Sequence, residues 1–244
     1  MKTRAALFTS VLMLASLACS LASQTVEENT RPNSAPVLEV EPAQPEPIQA
    51  EPTLILEQPS NILFEDDFSD TSSGWDRYDD TDGNANYMDD GYLIQVFTDN
   101  QFFFANPGLT DLPSDVRIEV EATKVNGPDD NSFGIICRYQ DVGNFYRFIA
   151  TSDGYAGIIL VQDNNMINLS GENLTPITIA LPGNATNKLR VDCIGDILSL
   201  FVNGEEVLSV QDPTFSNGDV GLFAGTFDII GTEILFDNFI VTSP

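Results

Sequence analysis

The feature that most constrains this chain is the alternation of apolar and polar side chains, cut at short intervals by two-residue turns. Leu189–Ile194, Ile197–Val202 and Glu205–Val210 are separated by Gly195-Asp196 and Asn203-Gly204. Asn-Gly accepts positive φ at both turn positions, giving the type I′ turn whose twist matches that of two paired strands. Gly-Asp suits type II′, with Gly at the position that needs positive φ. Residues 188–210 are therefore expected to form a three-stranded meander. Val116–Ala122 puts Val116, Ile118, Val120 and Ala122 on one side and Arg117, Glu119 and Glu121 on the other, the pattern of a half-buried strand. Phe133–Tyr139, Phe145–Ala150, Ala156–Gln162 and Ile234–Val241 read as further strands, and the unbroken Phe102-Phe103-Phe104 as one buried on both sides. Apolar residues nowhere recur at helical spacing over several turns, so almost no helix is expected. Many short antiparallel strands within residues 61–244 predict an all-β fold, a two-sheet antiparallel jelly-roll sandwich.

The first 60 residues obey other rules. Lys2 and Arg4 precede Ala5–Ala18, an apolar run of 14 residues. That is too short to span a bilayer but suits a secretory signal, so residues 1–18 are assigned to a signal peptide. Ser16-Leu17-Ala18-Cys19 resembles a bacterial lipoprotein processing site, with Ser16 where an aliphatic residue is usual. Cys19 is then the lipidated first residue, and several acyl chains on it anchor stably where one alone would be marginal. The alternative is cleavage after Ser20-Leu21-Ala22, which would start the mature chain at Ser23. Residues 19–60 read as a disordered linker: positions 20–60 hold 7 of the 14 Pro, 7 Glu and no Gly or aromatic residue. Such a segment buries too little apolar surface to offset its ordering entropy. The expected location is outside the cytoplasm, lipid-anchored at a bacterial cell membrane.

Charge and composition narrow the chemistry. With 37 acidic and 10 basic residues the formal charge is −27, which argues against nucleic acid as a partner. The absence of His removes Ser-His-Asp and Cys-His catalysis and imidazole metal sites.

Several short motifs occur in a telling order. These are Asp66-Asp67-Phe68-Ser69-Asp70 with Gly74-Trp75, Phe133–Asp141 followed by Asn144–Phe148, Leu198–Gly204, Gly218–Leu222 and Phe236–Phe239. Their order is similar to that of concanavalin A-like lectin/glucanase domains of bacterial envelope proteins, over nearly all of 61–244. The resemblance implies two curved sheets, one concave, with the first and last strands side by side. The superfamily holds lectins, laminin-G-like modules, carbohydrate-binding modules and glycoside hydrolases, so fold does not settle function. Its family 16 hydrolases carry three acidic residues on one strand in a Glu-x-Asp-x-(x)-Glu pattern. Glu119-Val120-Glu121-Ala122-Thr123-Lys124 supplies two carboxylates, but Thr123 or Lys124 stands at the third position. The expected function is thus a membrane-anchored module that recognises carbohydrate, or another cell-envelope polymer, through a concave sheet face. A protein-interaction or adhesion module, and a glycosidase acting on disaccharides, are the alternatives.

Arg138, Asn144, Tyr146, Arg147, Asp153 and Tyr155 cluster in sequence and mix planar polar groups with aromatic rings, as sugar sites do. Their plainer reading is Arg paired with abundant carboxylates and Tyr filling the core. Trp75, the single Trp, is expected to pack beside Phe68. Cys137 and Cys193 lie mid-strand and suggest a disulfide in an exported domain, with two buried free thiols as the alternative. A structural calcium is considered at Asp66, Asp67 and Asp237, which approach if the terminal strands pair. The acidic stretch from Asp79 to Asp90 reads as a solvated loop.

Overall fold

The computed structural model describes residues 61–89 and 91–244. The signal peptide, Cys19, the linker up to residue 60 and Asp90 lie outside the described residues. In chain order the strands are β1 (Ile62–Asp66), β2 (Tyr78–Asp79), β3 (Gly83–Met88), β4 (Gly91–Val96), β5 (Phe102–Ala105), β6 (Val116–Asn126), β7 (Asn131–Asp141) and β8 (Asn144–Ala150). There follow β9 (Tyr155–Gln162), β10 (Asn165–Asn168), β11 (Thr175–Pro176), β12 (Thr186–Ile194), β13 (Ile197–Val202), β14 (Glu205–Gln211), β15 (Asp219–Thr226) and β16 (Thr232–Thr242). Among the described residues every regular element is a strand.

These strands build two antiparallel sheets. The nine-stranded sheet runs β14-β13-β12-β6-β16-β4-β3-β2, with β1 also on β16. The seven-stranded sheet runs β10-β9-β8-β7-β15-β5, with β11 on β9. The terminal strands are neighbours, Glu65 opposite Ile240 and Asp66 opposite Phe239. The meander forms as its turns require: Asn203 and Gly204 take φ of +50° and +89°, and Gly195 takes +56°.

Alternation decides what meets inside. Val116, Ile118, Val120 and Ala122 of β6 join Leu189, Val191 and Cys193 of β12 in the core. Across from them stand Phe133, Ile135 and Cys137 of β7 and Tyr146, Phe148 and Ala150 of β8. Full burial of each large apolar side chain contributes roughly 1.5–3 kcal/mol. A disulfide joins Cys137 on β7 to Cys193 on β12, stapling one sheet to the other inside the core.

The other phase of β6 and β12 forms a ladder of opposite charges on the outside of the nine-stranded sheet. Arg117 faces Asp192, Glu119 faces Arg190 and Glu121 faces Lys188. Arg117 grips Asp192 with Nε and Nη2, both at 2.8 Å, and Lys188 Nζ lies 2.8 Å from Glu121. Glu119 and Glu121 thus stand on this outer charged face. At the terminal seam, Trp75 packs in the core with its ring 5.3 Å from Phe68 and 5.0 Å from Phe239. Its Nε1 donates to Asp66, which also accepts from the Phe68 amide.

Phe102–Phe104 differs from the sequence expectation. It is a strand, but β5 is the edge of the seven-stranded sheet and its three rings are half-buried. Phe103 packs toward the core, and Phe102 and Phe104 toward the opposite side.

Candidate functional site

Strands β7, β8 and β9 are apolar in both phases, the signature of a sheet covered on both faces. One phase fills the core. The other builds a second apolar cluster on the outside of the seven-stranded sheet: Ile136, Phe145, Ile149, Ile159, Val161 and Phe223. Phe102, Phe104, Tyr139 and Leu174 rim it and remain half-buried. Gly157 allows Leu174 to lie against β9, because a Cβ there would meet Leu174 Cδ2 at 2.4 Å. The rim rings are in mutual contact, with centroids 5.6 Å apart for Phe104 and Tyr139 and 5.6 Å for Phe104 and Phe145.

Arg147 sits in the middle of this face, opposite Ile136 on β7 and Ile159 on β9. Its guanidinium carbon is 4.2 Å from the Phe102 ring centroid and 4.6 Å from that of Phe223. The residue is 6% exposed, and its Nε and Nη1 have no hydrogen-bond partner among the described residues. Burial lowers its pKa to about 10, because a desolvated charge is disfavoured. Ring faces attract cations, so the two Phe rings offset part of that cost.

The domain's other guanidiniums are engaged. Arg117 and Arg190 share Asp192, and Arg190 also lies 3.6 Å from the Phe201 ring centroid. Arg77 donates to the Thr71 carbonyl and covers the Tyr87 ring.

Two open clefts flank the aromatic rim. One, of about 360 Å³, is lined by Tyr78, Asp80 and Phe102–Phe104 at the β5 edge. The other, of about 400 Å³, runs along Leu109, Tyr139, Gln140, Asn217 and Asp219. Burial raises the Asp219 carboxyl to about 6, although it accepts from the amides of Gly108 and Val220.

The structure scatters the six residues picked out from sequence. Arg138 is buried at a β7 irregularity, with φ of +55°, and donates to the carbonyls of Ser114, Gly195 and Phe215. It ties three loops together. Tyr146 faces the core, stacks on Phe215 and donates to Asp212 at 2.5 Å. Asn144 braces the β7–β8 turn through Asp141 and the Asp163 amide. Asp153 lies in the β8–β9 turn, accepting from the Thr151 hydroxyl, at the other end of β8. Tyr155 is exposed on the same outer phase as Arg147. Only Arg147 and Tyr155 therefore share a face, and the rings in contact with Arg147 come from β5 and β15.

At the seam Glu65, Asp66, Asp67 and Asp70 line one open cleft, and Asp237 lies outside its lining. Asp66 accepts from Phe68, Ser73 and Trp75, Asp67 from Ser69, and Asp237 from the Asn238 amide. Among the described residues no three acidic side chains converge on a common point.

No protein-family model matches this chain, and neither does any curated protein. Solved structures share its architecture. Carbohydrate binding module CBM66 from Bacillus subtilis is 20% identical, over 70% of this chain and 96% of that one, with a TM-score of 0.56. A structure described with the endo-acting O-glycanases of human gut microbiota that initiate mucin breakdown is 11% identical, over 75% of this chain and 99% of that one, at 0.54. A Bacillus subtilis protein of unknown function with a galectin-like fold is 9% identical, over 75% and 96%, at 0.52. The described residues thus have an antiparallel β-sandwich fold of galectin-like form.

Proposed function

We propose that this domain is a carbohydrate-binding module whose binding face is the outside of the seven-stranded sheet. The observation that carries the reading is the run of half-buried rings on that face, Phe102, Phe104 and Tyr139, which ends on the Arg147 guanidinium at Phe102. Sugar rings stack on aromatic faces, and a planar guanidinium orients their polar substituents. The architecture shared with CBM66 supports the same reading. In this proposal the lipidated Cys19 anchors the chain and residues 20–60 space the domain from the membrane, outside the cytoplasm.

A glycan array with the full chain, followed by calorimetry on the best ligand, tests it. Binding that falls at least tenfold in Phe104→Ala and Tyr139→Ala is expected. Binding unchanged by both, with the fold intact, would move the site elsewhere. Exposed Met166 and Ile167 on β10, at the edge of the same sheet, favour a protein partner as the second reading. Retention of a protein partner without any sugar binding would select it.

A further inference from the structure

We infer that the ligand of this face is an acidic saccharide, one whose carboxylate pairs with Arg147; the inference rests on the carbohydrate-binding reading above. The chain carries 37 carboxylate side chains, yet among the described residues none bonds Arg147. The contrast with the domain's other arginines is direct. Arg117 and Arg190 hold Asp192, and Arg138 satisfies its charge on three backbone carbonyls. Arg138 leaves only its Nε open, whereas Arg147, also nine-tenths buried, leaves Nε and Nη1 open and bonds no described residue, between the Phe102 and Phe223 rings and among aliphatic side chains.

A buried guanidinium without an acceptor is costly, and a carboxylate supplied from outside would offset part of that cost with charge-assisted bonds along one edge of the fork, Nη2 with either Nη1 or Nε. The planar fork matches a planar carboxylate better than a point charge would. The half-buried rim of Phe102, Phe104 and Tyr139 gives the sugar ring a surface to stack on while its carboxylate reaches inward. The net charge of −27 repels long polyanions, so the field favours short acidic saccharides over long ones.

The test is calorimetry on the full chain at physiological salt with trigalacturonate, its methyl ester, a neutral trisaccharide and a sulfated, carboxylate-free oligosaccharide. Trigalacturonate is expected to bind at least tenfold more tightly than its methyl ester and than the neutral sugar. Arg147→Met should abolish that preference while a thermal melt shows the variant folded. The ester comparison needs no variant and decides the matter even if Arg147→Met does not fold. Equal binding of acid, ester and neutral sugar would overturn the acidic-ligand inference and leave the carbohydrate module standing. Tighter binding of the sulfated sugar would overturn the carboxylate assignment. No binding of any saccharide, here or across the glycan array, would overturn both.

Discussion

Replacing Arg147 by Met should make the unliganded domain more stable. Burial holds the guanidinium pKa near 10 against an ordinary 12.5, which corresponds to about 3 kcal/mol working against the charged form. Nε and Nη1 without acceptors are the same penalty seen as hydrogen bonds. The Phe102 and Phe223 rings return about 1–2 kcal/mol. Met fills a similar volume between two rings, with no charge to desolvate. The net gain is on the order of 1–2 kcal/mol, or roughly 2–8 °C in Tm for a domain of this size. The sign with pH follows from the lowered pKa. The cost is fully present below pH 10 and fades only as pH rises from 10 toward 12.5, so a melt at pH 7 sees all of it. Thermal and urea unfolding of the two proteins, without ligand, provide the measurement. A lower Tm for Arg147→Met would refute the reasoning, because it would show that the guanidinium holds the face together instead of straining it.

Arg138→Met should have the opposite sign, a loss of roughly 3–5 kcal/mol, because it strips three loop carbonyls of a buried cationic donor; urea unfolding checks it, and saccharide binding should be unchanged in the folded fraction. Replacing both Cys137 and Cys193 by Ala removes a bridge spanning 56 residues, worth about 4 kcal/mol in the chain-entropy view, and equal unfolding midpoints before and after substitution would exclude that role. Carboxyl NMR should find Asp219 titrating near pH 6, well above the exposed carboxylates. Its neutral form favours the fold below about pH 4, and that contribution is lost as pH rises through 6, so Asp219→Asn should flatten stability across this interval.

Much of the nine-stranded sheet was legible because one face of β6 and β12 is wet. In β6 and β12 the alternation of Val116, Ile118 and Val120 with Arg117, Glu119 and Glu121 sets the period, and the register then builds the charge ladder. Asn203-Gly204 marked its hairpin because few other pairs tolerate its backbone. The binding face was hard to read for the opposite reason. Strand β8, Asn144–Ala150, is buried in both phases, so the period gives no hint of which side Arg147 takes. Tyr146 and Arg147 are adjacent in sequence and emerge on opposite sides of the sheet. Arg138 was misleading because positive φ at a β7 irregularity shifts the register, and nothing local in the sequence announces a bulge. The two rings against Arg147 come from β5 and β15, distant from β8 in sequence, so only the pairing of β5 with β15, β15 with β7 and β7 with β8 assembles them.

Chemical-shift mapping of the full chain during titration with its best saccharide tests the location of the binding face most directly. The largest changes should fall on the side chains of Phe102, Phe104, Tyr139 and Arg147, with the Arg117–Asp192 ladder on the other sheet left unmoved. Changes centred on that ladder, or on the loops that Arg138 ties together, would contradict it.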